Sequence, residues 1–301
     1  MIKKAVYLER SPAKINLFLD ILSAREDGYH DIETVFQAIE LSDHLTFSIS
    51  VECTPSDMID FDIKIDSNSD EVKALGLNNS VTDAIETYFM EVPEEQVVTL
   101  ISAVKIDVFI DKNIPLEAGL AGGSGNAAAT LRALNKFFLE NFDWSLNDKE
   151  LLELAARIGS DVPFCLSSNE KPRMLGTSRG EVLSANDSEV FNKYTNMILV
   201  KPDFGVSTAE AYKSISGKVS KFKKEKHGFF NRFEEVVYDD HPELLNVQED
   251  LLAIGCGEVL LSGSGSSMIG FVSNGKNLKE MFKKAKDTFP DYQVFQSSKL
   301  C

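Results

Sequence analysis

Apolar and polar positions alternate near the start of the chain. Ile15, Leu17, Leu19 and Ile21 fall on one face, and Lys14, Asn16, Phe18 and Asp20 on the other; a period of two predicts a strand. Lys14 and Asn16 are then neighbours on one surface. After the turn signal Asp27-Gly28, residues 32–39 and 45–51 read as two further strands, and the polar, acidic stretch 52–71 as an exposed excursion between strands. Residues 82–89, preceded by the polar pair Asn79-Ser80, read as a helix, and residues 104–110 alternate as a strand. Leu131, Leu134, Phe137 and Phe138 recur at helical spacing in an Ala- and Leu-rich run, residues 127–138. Another helix runs from a cap at Ser145 or Asn147 through Leu151, Leu154, Ala155 and Ile158 to Gly159. Strand patterns resume near residues 195–200, and two apolar runs, 259–261 and 268–272, flank a second glycine cluster, Ser262-Gly-Ser-Gly-Ser-Ser267.

The densest punctuation is Pro115-Leu-Glu-Ala-Gly-Leu-Ala-Gly-Gly-Ser-Gly-Asn126, which leads straight into the helix predicted from residue 127. A glycine-rich loop ahead of a helix offers unpaired N–H groups and the positive end of the helix dipole, and phosphate is the usual guest. Gly119, Gly122, Gly123 and Gly125 would let backbone approach a polyphosphate, and Ser124 and Asn126 could add donors. The plainer alternative is a helix cap with packing glycines. A Walker A loop is excluded, because no Lys follows these glycines. Gly123-Ser-Gly125-Asn-Ala-Ala128 formally fits a dinucleotide fingerprint, but several loop residues separate it from its strand and no second strand follows the helix.

Composition narrows the guests. The 301 residues are 43% hydrophobic, enough for one large or two ordinary domains. The formal charge of −16 opposes extended contact with nucleic acid or anionic lipid. Any anion must be met by a local device, and the glycine loop is one. No run is apolar enough to span a membrane, and the Met1-Ile2-Lys3-Lys4 start leads into charge and not into a leader core, so the chain reads as cytoplasmic. Cys53, Cys165, Cys256 and Cys301 and the four histidines have no metal-ligand spacing. Lys218 to Lys226 reads as a solvated basic loop, with a flap over a diphosphate as the minority alternative.

Six segments then carry a resemblance. Pro115 to Ala128 is similar to the phosphate loop of the GHMP family of small-molecule kinases, and Ser11-Pro-Ala-Lys-Ile-Asn-Leu-Phe-Leu19, Asp27-Gly-Tyr-His30, Gly159-Ser-Asp-Val-Pro163 and Leu261-Ser-Gly-Ser-Gly265 resemble motifs of its members that act on a cytidine diphosphate-linked polyol. Gly205-Val-Ser-Thr-Ala-Glu-Ala-Tyr212 resembles a segment of their substrate domain. The matches run in order from residue 11 to about residue 272.

The resemblance implies an α+β, two-domain GHMP kinase: a ribosomal protein S5 domain 2-like N-terminal domain (1–168) carrying ATP and a ferredoxin-like C-terminal domain (169–301) on the substrate side. It implies ATP with Mg2+, a phosphotransferase of the isoprenoid pathway with an alcohol acceptor, and small-molecule partners only; it leaves oligomeric state open. Asp161 would take the acceptor hydroxyl's proton, and Lys14 would keep Asp161 ionised and neutralise the moving phosphoryl. On residues alone, Asp161 also fits a helix cap and Lys14 a solvated strand position. Pro115, Gly119, Gly122, Gly123, Ser124, Gly125 and Asn126 would hold ATP, with Asn79 and Lys112 near adenine and ribose. Asn16, Tyr29, His30, Thr208, Tyr212, Ser262 and Gly263 would hold the acceptor, Tyr29 and Tyr212 stacking on cytosine. Metal ligands are not assigned. Gly125 departs from the family loop, which usually has a second Ser there, and residues 52–75 and 91–103 look like insertions. The rivals are a homoserine- or mevalonate-type kinase, a diphosphomevalonate-decarboxylase-like lyase and a non-catalytic relative.

Overall fold

The computed structural model describes residues 1–54, 59–93, 100–215 and 228–301. Two long strands open it, β1 (Ile2–Ala24) and β2 (His30–Glu52). They are joined by a turn in which the Arg25 N–H donates to Tyr29 O at 2.8 Å and Gly28 takes φ +84. β2 was expected as two strands, because Glu40-Leu-Ser-Asp-His44 reads as a polar break. It is continuous, with Ser42 and Asp43 buried in mid-strand and given partners there. The alternation in β1 predicted one buried face, yet Ser11 to Asp20 are buried on both, including Lys14 at 5% exposure.

By contacts the chain groups into two compact units, each assembled from several segments: Met1–Pro12, Ser42–Ile114 and Gly122–Leu166, and Ala13–Leu41, Pro115–Ala121 and Ser167–Cys301. β1, β2 and the glycine loop therefore each pass from one unit to the other.

The first unit adds β3 (Asp60–Ser67), α1 (Asp70–Leu75), α2 (Ser80–Phe89), β4 (Ala103–Asp111), α3 (Gly122–Phe142), α4 (Asp148–Ile158) and α5 (Val162–Ser167). β4 pairs antiparallel with His44–Glu52 of β2 and parallel with β3. β3 lies in the stretch expected to be an excursion; its Asp and Lys residues disguise an alternation that carries Ile63 and Ile65. Val104, Ile106, Val108 and Ile110 of β4 are buried, and α2 packs on α3 through Tyr88, Phe89 and Phe138, with Trp144 edge-on to Tyr88. α4 begins at an Asn147–Glu150 capping box and ends at Gly159, as its sequence predicts.

The second unit adds β5 (Arg173–Thr177), β6 (Val182–Ala185), β7 (Tyr194–Lys201), α6 (Thr208–Ile215), β8 (Phe230–Asn231), α7 (Glu234–Asp240), α8 (Glu243–Ile254), β9 (Glu258–Leu261), β10 (Met268–Ser273), α9 (Leu278–Thr288) and β11 (Gln293–Ser298). Four antiparallel strands lie in the order β11-β7-β10-β9. Numbered along the chain that order is 4-1-3-2, with helices in the β7–β9 and β10–β11 connections, which is the ferredoxin-like arrangement. Its core joins Ile198 and Val200 of β7 to Leu244 and Leu251 of α8 and Met281 and Ala285 of α9. β5 and β6 form a hairpin on β2, and β8 pairs in parallel with β1 at Phe18↔Phe230 and Leu19↔Asn231. No helix among the described residues is long and apolar enough to cross a membrane. The segment Lys218 to Lys226 lies outside the described residues.

Candidate active site

Lys14 and Asn16 meet as their two-residue spacing requires. Lys14 Nζ donates to Asn16 Oδ1 at 2.9 Å, Asn16 Nδ2 to Thr34 Oγ1 at 2.7 Å, and Thr34 Oγ1 to Phe18 O at 2.7 Å. All three residues are buried, and the Phe36 ring centroid lies 5.6 Å from Lys14 Nζ. The Thr34 hydroxyl accepts from the Asn16 amide, which fixes that amide so that its oxygen faces the ammonium. Lys14 is thus not a solvated strand residue.

The glycine loop divides at Ala121 and Gly122. On one side, Gly119 adopts φ +69 and a Cβ there would stand 2.0 Å from Ser262 O, so only glycine lets this turn meet the second cluster. Ser262 Oγ donates to Gly119 O at 3.1 Å. On the other side α3 begins at Gly122, five residues before the helix was expected, so Gly122, Gly123, Ser124, Gly125 and Asn126 form its first turns. Close packing explains glycines inside a helix, where each costs roughly 1 kcal/mol against Ala. A Cβ on Gly122 would lie 2.8 Å from Lys112 Nζ, and one on Gly125 only 2.4 Å from Ser11 Oγ. Ser80 Oγ donates to Gly123 O at 2.7 Å. Ser11 Oγ and Asn126 Oδ1 are buried here without a hydrogen-bond partner. The free N–H groups of this helix end and its dipole suit an anion.

Lys112 and Asn79, both expected near adenine and ribose, are committed locally. Lys112 Nζ pairs with Asp43 Oδ2 at 2.6 Å, and Asp43 Oδ1 accepts from the N–H groups of Asn113 and Ile114. Burial pulls the Lys112 pKa down, against the pull of Asp43. The Asn79 side chain accepts from the N–H groups of Val81 and Thr82, capping α2.

Asp161 stands immediately before α5, half-buried, with its carbonyl accepting the Cys165 N–H at 3.1 Å. It belongs to the first compact unit with the head of α3; Lys14 belongs to the second.

The acceptor-side residues all fall in the second unit. The stack present there is His30 on Tyr212, with centroids 5.0 Å apart and planes at 22°, and Tyr212 is edge-on to Phe233. His30 Nε2 is buried without a hydrogen-bond partner. Tyr29 is 52% exposed, and the Arg179 guanidinium lies 4.8 Å from its ring centroid. The β5–β6 turn that carries Arg179 is tied to the Tyr29 loop: Ile32 N–H donates to Ser178 O and Arg25 Nη1 to Ser178 Oγ. Thr208 Oγ1 lies 2.9 Å from Ser264 Oγ, tying α6 to the second glycine cluster. The sequence pattern assigns no role to Thr34 or Arg179, each of which acts through partners far away in the chain.

Residues 79–169 match the family described as GHMP kinases N terminal domain. With the glycine-headed helix and the ferredoxin-like unit, they define a GHMP-type small-molecule kinase. A relative named 4-diphosphocytidyl-2-C-methyl-D-erythritol kinase, from Syntrophomonas wolfei subsp. wolfei, is 33% identical over 296 residues, covering 93% of each chain. The chain belongs to the 4-diphosphocytidyl-2-C-methyl-D-erythritol kinase family. A crystal structure of 4-(cytidine 5'-diphospho)-2C-methyl-D-erythritol kinase shares its fold, with a TM-score of 0.71 and 24% identity over 97% of this chain and 99% of that one. The crystal structure of homoserine kinase from Cytophaga hutchinsonii has a TM-score of 0.60 at 15% identity, covering 99% and 95%. Fold alone therefore does not choose the acceptor.

Proposed function

We propose that the chain transfers the γ-phosphate of ATP to the 2-hydroxyl of 4-diphosphocytidyl-2-C-methyl-D-erythritol, a step of non-mevalonate isoprenoid synthesis. The observation that carries this reading is kinship over nearly the whole chain with kinases of that name. The homoserine and mevalonate rivals and the decarboxylase rival share only the fold, at 11–16% identity.

Phosphoryl transfer asks the protein for position and charge, and a group to take one proton. The acceptor oxygen bonds to the γ-phosphorus as the bond to the ADP oxygen breaks. Asp161 receives the hydroxyl proton. Lys14, aimed by Asn16, neutralises charge on the moving group and keeps Asp161 ionised. The backbone from Gly119 to Asn126, with Ser124, binds the phosphates, and Pro115 sets the entry to that loop. Asn79 contributes through the end of α2 that it caps, and Lys112 through the head of α3. Tyr29, His30 and Tyr212 hold the cytosine, with the unpartnered His30 Nε2 directed at its polar edge. Asn16, Thr208, Ser262 and Gly263 line the polyol and diphosphate.

Mg2+ supplies charge neutralisation on the phosphate oxygens when bound. Among the described residues no group of three or more His, Cys, Asp or Glu side chains is arranged to hold a metal.

The test is ATP turnover with a panel of alcohols with and without a cytidine diphosphate group. The cytidyl polyol is expected to stimulate turnover well above homoserine and mevalonate. Stimulation by one of those, and none by the cytidyl polyol, overturns the assignment.

A further inference from the structure

Two turns of the second unit, 25–29 between β1 and β2 and 178–181 between β5 and β6, are joined through one guanidinium. The β2–β5 ladder runs from Gln37↔Arg173 to Thr34↔Gly176, and the Ile32 N–H donates to Ser178 O at 2.6 Å just past its end. Beyond that point the Arg25 side chain makes the connection. Its Nε donates to Asp27 Oδ2 at 3.1 Å, and its Nη1 to Asp31 Oδ1 and to Ser178 Oγ, each at 3.0 Å. Ser178 Oγ passes the link on, donating to Glu181 Oε1 at 3.1 Å, and Glu181 Oε1 lies 3.5 Å from Arg179 Nε. Ser178 adopts φ +62, where glycine is easier; a hydroxyl that accepts from Arg25 and donates to Glu181 is a reason for serine there.

Tyr29 is what the joined turns hold. Its N–H donates to Asp27 Oδ1 at 3.1 Å, its carbonyl accepts the Arg25 N–H at 2.8 Å, and the Arg179 guanidinium lies 4.8 Å from its ring centroid. Arg25 thus reaches both supports of this residue: Asp27 at its backbone and, through Ser178 and Glu181, Arg179 at its ring. Three N–H groups of Arg25 go to Asp27, Asp31 and Ser178, and two carboxylates offset its charge, which makes it a poor anchor for a substrate phosphate. Ion pairs this exposed, with Arg25 at 33% and the carboxylates at 47% and 40%, add little stability, so what they supply is geometry. We infer that Arg25 is a positioning residue for the acceptor's base: it locks the two turns together and so fixes the Tyr29 ring against Arg179, with the ring's other face presented for stacking. This rests on the kinase reading above.

The test is a double-variant cycle on the full chain, with ATP and the cytidyl polyol as substrates. Arg25→Ala should raise KM for the cytidyl polyol about fivefold, less than loss of the Tyr29 ring itself, and leave kcat and KM for ATP within about twofold. In a Tyr29→Ala background the same change should shift that KM by less than about 1.5-fold, because a residue that acts through the ring then has nothing to position. Arg25→Lys keeps the charge and loses the planar fork, and should fall between parent and Ala. Ser178→Gly suits the left-handed backbone and deletes only the hydroxyl; it should raise the same KM about threefold, and it takes the place of Arg25→Ala in the cycle if that variant does not fold. Amide exchange, read by mass spectrometry, should speed up together in peptides covering 25–32 and 176–182 of Arg25→Ala. Equal rises in both KM values, or an effect of Arg25→Ala that is undiminished without Tyr29, overturns the inference. If the parent chain does not phosphorylate the cytidyl polyol, the functional reading fails, and amide exchange alone then decides whether Arg25 joins the two turns.

Discussion

Lys14 was legible as a neighbour of Asn16, because a strand places residues two apart on one face. Its burial was not, since the second covering of β1 comes from residues distant in sequence, among them Thr34 and Phe36. The same limit hid Arg179. Its contact with Tyr29 depends on a hairpin turn placed by Ser178, whose carbonyl and hydroxyl both serve the Tyr29 loop. With a guanidinium over one face of the Tyr29 ring, the opposite face remains for a base. Tyr29→Ala is expected to raise KM for the cytidyl polyol about tenfold while leaving KM for ATP unchanged, the loss of one stacking contact. Arg179→Ala should raise the same constant several-fold less, with Arg179→Lys between parent and Ala. Equal effects on both substrates would point to a general fold defect.

Among the elements, α3 separates what periodicity can read from what it cannot. Leu131, Leu134, Phe137 and Phe138 marked its apolar face, and all four are buried. Its first turns read as loop in the sequence because four of the residues from 119 to 125 are glycine, a composition that resembles loop whatever the backbone does. Glycine stands in these helical turns because Lys112 and Ser11 occupy the space a side chain would need. This gives a test of packing by paired substitution. Gly125→Ala gains helix propensity but forces a Cβ to within 2.4 Å of Ser11 Oγ, and overpacking typically costs about 1–3 kcal/mol. Ser11→Ala removes that oxygen; the remaining Ser11 Cβ lies at an ordinary 3.7 Å. In urea unfolding, Gly125→Ala should be less stable than the parent, and the double variant Ser11→Ala with Gly125→Ala should recover at least parental stability. Additive effects would show that the two positions do not share this space.

For the whole molecule, the glycine-headed helix and the late strand pattern pointed to the class, and the 4-1-3-2 order of the second unit's sheet bears out the expected ferredoxin-like part. The −16 charge argued against polyanionic polymers and left compact anions open, because helix ends and a few placed cations act locally. Glu234, whose Oε1 accepts the Leu261 N–H just ahead of the second glycine cluster, carries no signal in the sequence pattern. Burial pushes its pKa up to about 7, against the opposing hydrogen bonds from Leu261 and Tyr238. Between the ordinary value of 4.5 and about 7 the unfolded chain has released this proton while the folded chain keeps it. Unfolding then releases a proton, and stability falls as pH rises through that window. Glu234→Gln should flatten this part of the stability–pH curve, measured by chemical denaturation at steps from pH 4.5 to 7.5; an unaltered slope would mean that Glu234 does not titrate as its surroundings require.

The reaction is the transfer of one phosphoryl group to one hydroxyl. Phosphorus and carbon NMR of the purified chain with ATP, Mg2+ and 4-diphosphocytidyl-2-C-methyl-D-erythritol measures it directly. A new phosphomonoester signal is expected that grows one for one with ADP and is coupled to C2 of the methylerythritol, the cytidine diphosphate remaining intact. ADP that accumulates with inorganic phosphate alone, or a phosphomonoester on another carbon, would contradict it.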